Sequence, residues 1–313
     1  MSFRQTIESW ELLDSATVDG ARVVETLVGR GLEVVSTTRV EAEQGFTDYI
    51  RVLVPGREGR SSGGTAPTLG IIGKLGGIGA RPKLTGLVSD ADGAITAIAC
   101  ALKLADMRSH GDLLSGDVVI TTHICPAAPT RAHDPVPFMS SPIPQSTMLE
   151  HEVSAEMEAI LSVDATKGNR ILNHKGIAIT PTIKEGYILR VSEDLLNLLS
   201  YVTGENPVVL PITTQDITPY GNGLHHLNSI VQPCTATAAP VVGVATTAAV
   251  AVPGCATGAN YLSNIEMAVR FCLEVAKAFG AGQCSFHDPR EWQLIQSLYG
   301  SLRHLQTAGR HTV

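Results

Sequence analysis

The chain has 313 residues, with 23 lysines and arginines against 30 aspartates and glutamates, and so a net charge of −7. Its 44% of hydrophobic and 17% of charged residues exclude a largely disordered protein. The acidic balance argues against a nucleic-acid-binding protein, because such a protein needs a basic surface. We expect a single α/β domain over residues 1–313, with residues 57–65 as a surface loop.

The composition also predicts where the protein works. Its N-terminus is polar and lacks the apolar segment of a secretion signal. The six cysteines are scattered, which favours free thiols in a cytoplasmic protein. Residues 217–265 contain no Asp, Glu, Lys or Arg, but their prolines and small residues do not fit a membrane span. We therefore expect no membrane or nucleic-acid partner, a small-molecule substrate, and a homo-oligomer suggested by the low charge density.

Hydrophobic periodicity predicts helices and strands that alternate along the chain. The predicted helices cover residues 19–28, 93–107, 146–161, 193–203 and 264–279, and the predicted strands cover residues 49–54, 68–73, 117–122, 160–164, 177–182, 208–212 and 241–245. Ser263 and Glu266 have the spacing of a capping box, and Gly204 and Gly280 are expected to end helices. The alternation predicts a three-layer α/β sandwich around a doubly wound, mixed and largely parallel sheet. Such sheets bind ligands beyond the carboxyl ends of their strands.

Acidic residues follow two of these strands. Asp90 and Asp92 lie between an apolar strand and a helix, where a carboxylate either caps the helix or acts as a metal ligand or general base. Asp164 ends a buried strand before a polar turn, a position that suits chain turning, capping or metal binding. Local sequence leaves these interpretations open.

Histidines and a cysteine follow other strands. His123 and Cys125 stand two residues apart, so in an extended chain they point the same way and could share a ligand or nucleophile role. The alternative is a satisfied buried histidine beside a buried cysteine. Of the adjacent His225 and His226, at most one is expected to be functional, because neighbours on a helix diverge by about 100°.

The glycine-rich segment GIIGKLGGIGARPK carries Lys74, Arg81 and Lys83, which could form an anion-binding nest. Its spacing matches neither of the common nucleotide-binding patterns, so a tight turn between strands is the preferred interpretation. Lys74 remains a candidate for substrate binding, together with Asp92 and His226.

In chain order these segments resemble the zinc-aminopeptidase fold, and the tetrahedral (glutamyl) aminopeptidases in particular. VSDADGAITAIACAL is similar to that family's strand, turn and helix with a metal-bridging aspartate, and ILSVDAT to its strand with a metal-binding aspartate. NHKGIAIT resembles its following Gly-Lys-Gly segment, and SNIEMAVRFCLEVAKAF its closing helix. The resemblance implies that fold, metal ligation by Asp90 and Asp164, and an uncharacterised bacterial family related to it.

Other positions depart from that family. Lys74 or a glycine stands near the place of its first-strand histidine, HICP replaces its glutamate pair, and VPGCATG lacks its last histidine. We therefore expect a rewired site in which Asp90, Asp164 and His225 bind a divalent metal, with zinc first and manganese, cobalt or nickel as alternatives. His123 and Cys125 would be the catalytic partners. The expected activity is metal-dependent hydrolysis of a peptide-like or lactam-like amide.

Two alternatives follow from the same residues. In the first, no metal binds, Lys74 neutralises the two carboxylates, and the protein is a small-molecule-binding module or an inactive relative. In the second, Cys125 and Cys234 are the paired acid and base of a cofactor-independent racemase.

Overall fold

The computed structural model describes residues 1–43, 45–74, 86–134, 136–307 and 309. Its α-helices are α1 (Phe3–Asp14), α2 (Gly20–Gly29), α3 (Asp92–Ser109), α4 (Gln145–Glu152), α5 (Glu193–Thr203), α6 (Leu262–Gly280) and α7 (Pro289–Tyr299). Its strands are β1 (Val34–Ala42), β2 (Gly45–Val54), β3 (Leu69–Gly73), β4 (Val118–Ile124), β5 (Thr130–Arg131), β6 (Phe138–Met139), β7 (Ala159–Thr166), β8 (Gly176–Ile179), β9 (Ile183–Lys184), β10 (Tyr187–Ile188) and β11 (Val241–Thr247). None of the described helices is both long and apolar enough to cross a membrane.

The main sheet has the strand order β1-β2-β4-β3-β7-β11-β9-β10, and β8 pairs with β11. The central strands β4, β3, β7 and β11 are parallel to one another, whereas the outer strands pair antiparallel. This confirms the predicted α/β class with a mixed sheet. Because the central strands run the same way, their carboxyl ends meet at one edge, where ligands bind in sheets of this kind.

The two faces of the sheet are covered differently. The face that carries Ile71, Ile120 and Val244 packs against the buried sides of α1, α2, α3, α5 and α6. The opposite face, with Ile72 and Val241, packs mainly against loops and the 3₁₀ turns at 215–217 and 232–236. The short helix α4 covers the part of this second face near β2. The three layers are therefore present, but loops replace most of the helices expected in one of them.

Several predicted boundaries are confirmed. Helix α2 starts as expected because the Asp19 side chain accepts a hydrogen bond from the Arg22 amide. Helix α5 matches the predicted 193–203 and stops at Gly204, which has a positive φ of 74°. Residues 57–65 join β2 to β3, and β4 lies between those two strands in the sheet.

Other local predictions are wrong. The capping box of α6 does not form, because Glu266 instead accepts hydrogen bonds from the backbone and hydroxyl of Ser2 and pairs with Arg270. The predicted strand 208–212 is reduced to one bridge between Ile179 and Val209. The predicted helix 146–161 ends at Glu152, after which the chain turns into β7. For Glu266, a tertiary contact overrides the local signal.

Two glycines allow α3 to begin directly against the sheet. A Cβ on Gly93 would lie 1.7 Å from the Lys74 carbonyl oxygen, and one on Gly73 would lie 2.3 Å from the Gly93 carbonyl oxygen. Only glycine permits this approach of backbone to backbone. It brings the turn at Ser89–Ala91 and the start of α3 to the edge of the sheet where the central strands end.

Candidate functional site

A row of polar residues crosses the sheet at its carboxyl edge. Tyr49 of β2 lies opposite His123 of β4. Gly73 pairs with Thr122 on one side and Val163 on the other, so the next residue, Lys74, falls between His123 and Asp164. The pleat of a sheet directs side chains of such a row to one face. The strand register thus gathers a phenol, an imidazole, an ammonium and a carboxylate.

The centre of this row is a buried ion-pair cluster. Lys74 Nζ lies 3.1 Å from Oε2 of Glu152, and His123 Nδ1 lies 2.7 Å from Oε1 of the same carboxylate. Burial favours a protonated Glu152, but the Lys74 charge and the His123 hydrogen bond outweigh it and lower the pKa of Glu152 below its ordinary value. Local sequence gave no signal for Glu152, because its partners Lys74 and His123 lie far away along the chain.

Asp90 and Asp164 form a second, separate group. Asp90 Oδ2 accepts a hydrogen bond of 3.3 Å from the Met139 amide. Asp164 accepts from the Ala165 amide at 2.7 Å and the Ser229 hydroxyl at 2.9 Å. Burial, and then the negative charge of Asp164, raise the pKa of Asp90 to about 7. At neutral pH Asp90 is therefore partly protonated, next to the Asp164 carboxylate.

Asp92 belongs to a buried ion pair that is distinct from these two carboxylates. Its carboxylate pairs with Lys167 at 2.9 Å and accepts hydrogen bonds from Thr246 and Asn260, both at 2.8 Å. Asp92 is fully buried, so the predicted role in substrate binding does not match its position. Helix α3 receives no side-chain cap from Asp90 or Asp92, so the capping interpretation is also wrong.

A cavity of about 680 Å³ opens next to the Asp90–Asp164 pair. Its walls include the Tyr220–Ser229 segment, which carries both His225 and His226. His225 is exposed, whereas His226 contacts Thr218 through Nε2 at 3.1 Å and packs against the Tyr220 ring. The two histidines lie in a loop, so the divergence expected for a helix does not apply. Asp90, Asp164, His225 and His226 are the predicted site residues that share this cavity.

The structure places the two cysteines on opposite faces of the sheet. Cys125 packs in the helix-covered core and donates a hydrogen bond of 3.5 Å to the Phe46 carbonyl, whereas Cys234 packs in the core on the other face. Burial raises the pKa of both thiols. We expected the side chains of His123 and Cys125 to point the same way, as residues two apart do in a strand. Cys125 does not follow this rule because β4 ends one residue before it. This placement supports neither a His123–Cys125 partnership nor a Cys125–Cys234 racemase.

The ligand set does not fit a catalytic zinc centre. Zinc in such centres has three protein ligands and an open position. The described part of the chain contains no group of three His, Cys, Asp or Glu side chains that could hold a metal. The segment 75–85 contains none of these residue types. Asp90 and Asp164 thus lack the third ligand that the prediction assigned to His225.

The predicted anion-binding nest consists of Lys74, Arg81 and Lys83. Arg81 and Lys83 lie outside the described residues. Lys74 is fully buried and paired with Glu152, so it cannot act as an exposed anion-binding or substrate-binding side chain in this arrangement.

Several solved structures are similar to this chain. A TET aminopeptidase from the marine sediment archaeon Thaumarchaeota archaeon SCGC AB-539-E09 is 9% identical, with a TM-score of 0.49 and 90% of this chain and 99% of that chain covered. The Legionella pneumophila LapA aminopeptidase is 12% identical, with a TM-score of 0.47, and the match covers 92% of this chain and 73% of that chain. Bacillus subtilis YXEP, a dinuclear metal binding peptidase from the M20 family, is 12% identical, with a TM-score of 0.45, and the match covers 88% of this chain and 97% of that chain.

No curated protein matches the sequence. A family model does match, over residues 38–309, and it is described as a protein of unknown function, DUF1177. With most of its length covered by that match, the chain belongs to the DUF1177 family.

Proposed function

We propose that this protein is a hydrolase that uses Asp90 and Asp164 as an acid–base pair on a small-molecule amide. The observation that carries the proposal is the shared position of the two carboxylates at one cavity, where one of them holds a proton near neutral pH. A carboxyl group that holds a proton near neutral pH beside a second carboxylate has the property that a general acid requires.

The surroundings assign a role to each carboxylate. Asp164 accepts two hydrogen bonds, which stabilise its ionised form and suit it to take a proton from water. The hydroxide so formed would add to the amide carbon. Asp90 would give its proton to the leaving nitrogen as the C–N bond breaks. The proton gained by Asp164 then restores that of Asp90, so the cycle is balanced.

The cavity suits a small polar substrate. Its volume of about 680 Å³ lies within the usual range of roughly 300–1,000 Å³ for small-molecule sites. Arg131, His133 and His225 also line it and would favour a substrate with an anionic or strongly polar group. The choice of an amide, peptide-like or lactam-like, rests on the sequence resemblance alone.

The test is a screen of N-acyl amino acids, dipeptides and lactams with the purified full chain, read out as released amine. Asp90→Asn and Asp164→Asn should each lower turnover at least about 100-fold, because each removes one half of the proton transfer. Asp112→Asn changes an exposed carboxylate and should leave turnover unchanged. Tight binding of a substrate without turnover in wild type would overturn the proposal and favour a binding module.

The metal-dependent form of the hypothesis is tested separately. Wild type and Asp90→Asn are purified without chelator or nickel resin, and their metal content is measured by mass spectrometry. Near one Zn, Mn, Co or Ni per chain, lost in Asp90→Asn, would favour the metal-dependent reaction predicted from sequence. Activity that persists after dialysis against a chelator would support the metal-independent pair.

A further inference from the structure

We infer that the Lys74 ammonium is a resident cation of the sheet edge, held by Glu152 and His123 in a position that would otherwise suit a divalent metal. This inference goes beyond the proposed function and does not depend on Asp90 or Asp164 being catalytic.

The first support is the position of Lys74. It stands at the end of the central strand β3, and the register places it between His123 and Asp164. The side chains of Lys74 and Glu152 are both 0% exposed. A buried ammonium and a buried carboxylate are each costly to remove from water, so they persist only as a pair.

The second support is how the ammonium is held. Lys74 Nζ and Glu152 Oε2 are 3.1 Å apart, yet within the described structure neither atom has a hydrogen-bond partner of good geometry. The Tyr49 hydroxyl beside them is also buried and without such a partner there. The contact between the Lys74 ammonium and the Glu152 carboxylate is therefore mainly electrostatic.

The third support is the chemistry of its neighbours. Glu152 and His123 supply a carboxylate and an imidazole, which are ligand types that bind divalent metals. The described residues contain no group of three such ligands. A histidine at position 74 would replace the ammonium by a third ligand next to Glu152 and His123.

The experiment is to give the Lys74→His variant Zn²⁺ and to measure binding by calorimetry and metal content after dialysis. We expect about one Zn²⁺ per chain, bound at least about 10-fold more tightly than in wild type. The matched control is Lys277→His, which places a histidine beside Glu274 at an exposed ion pair and should behave as wild type. Adding Glu152→Gln to Lys74→His should abolish the gain. No gain over Lys277→His would overturn the inference.

A second measurement covers the case in which Lys74→His does not fold. Lys74→Met leaves Glu152 buried without its cation and should lower Tm by about 10 °C, and the Lys74→Met, Glu152→Gln double variant should recover most of that loss. A Lys74→Met protein as stable as wild type would contradict the inference. So would stoichiometric metal in wild type that disappears in Glu152→Gln.

Discussion

Asp90 and Gly254 are in direct contact at the wall of the cavity. The Asp90 amide donates a hydrogen bond of 3.1 Å to the Gly254 carbonyl, and a Cβ built on Gly254 would lie 2.0 Å from Asp90 Oδ2. The absence of a side chain at Gly254 therefore makes room for the carboxylate. The segment VPGCATG, which lacks a histidine, contributes to the site through its backbone.

Replacing Gly254 with alanine is expected to displace the Asp90 carboxylate. The new methyl group would overlap Oδ2, and relief of that overlap should cost about 1–3 kcal/mol of stability. Any activity that depends on Asp90 should fall with it. Urea denaturation and turnover measure both effects. Gly29→Ala is the control, since nothing lies within 4 Å of the added Cβ, and equal behaviour of the two variants would contradict the prediction.

Asp90→Asn is expected to stabilise the protein at pH 8. The pKa of Asp90 is about 7 in the fold and near 3.8 when unfolded, so the folded state holds the proton over that interval. Stability then falls as pH rises from about 4 to 7, and the loss is complete above 7. The difference corresponds to at most about 4 kcal/mol.

The measurement is the unfolding free energy of wild type and Asp90→Asn between pH 4 and 8. The advantage of the variant should shrink toward pH 4, where both side chains are neutral. A variant less stable than wild type at pH 8 would show that Asp90 is ionised and well compensated in the fold.

Lys167→Met is expected to destabilise the protein by about 3–5 kcal/mol. It would leave Asp92 buried without its cation, and it would also remove the hydrogen bonds from Lys167 to the Ser89 and Ala259 carbonyls. The Lys167→Met, Asp92→Asn double variant should recover part of the loss in a chemical denaturation series. If the stability losses of Lys167→Met and Asp92→Asn simply add in the double variant, the two side chains are not coupled and the prediction is wrong.

Asp216→Ala is expected to loosen the loop that carries the cavity histidines. The buried Asp216 carboxylate accepts hydrogen bonds from the amides of Thr213, Leu227 and Asn228 and so closes residues 213–228. Removal of this carboxylate should lower the free energy of unfolding by about 2–4 kcal/mol and expose the loop to proteases. Limited proteolysis followed by mass spectrometry locates the cleavage. Asp112→Ala, at an exposed position, should leave the pattern unchanged.

The sequence predicted more of the fold than of the candidate site. Helices α2 and α5 and strands β3 and β11 follow from periodicity and caps, because their signals lie within a few residues of one another. Helix α1, strand β1 and helix α7 received no prediction, and loops took the place of most helices on one face. Asp90 and Asp164 were recognised as strand-end carboxylates, and both line the cavity.

The roles of charged side chains depended on partners far away in sequence. Asp92 meets Lys167, 75 positions later, and Glu152 meets Lys74, 78 positions earlier. Nothing local distinguishes Asp90, which faces the cavity, from Asp92, which is buried in an ion pair. Cys125 lies one residue beyond the end of β4, so the alternation of side chains in a strand predicted the wrong direction for its side chain.

The sequence by itself determined the α/β class, most strands of the sheet centre and the acidic residues at their ends, because hydrophobic period and glycine positions act locally. Only the tertiary structure decided which charges pair, since the sheet register places Tyr49, His123, Lys74 and Asp164 in one row. Helix α4 then brings Glu152 to that row. Coulomb energy and desolvation depend on distance and burial in space, and neither is encoded by spacing along the chain.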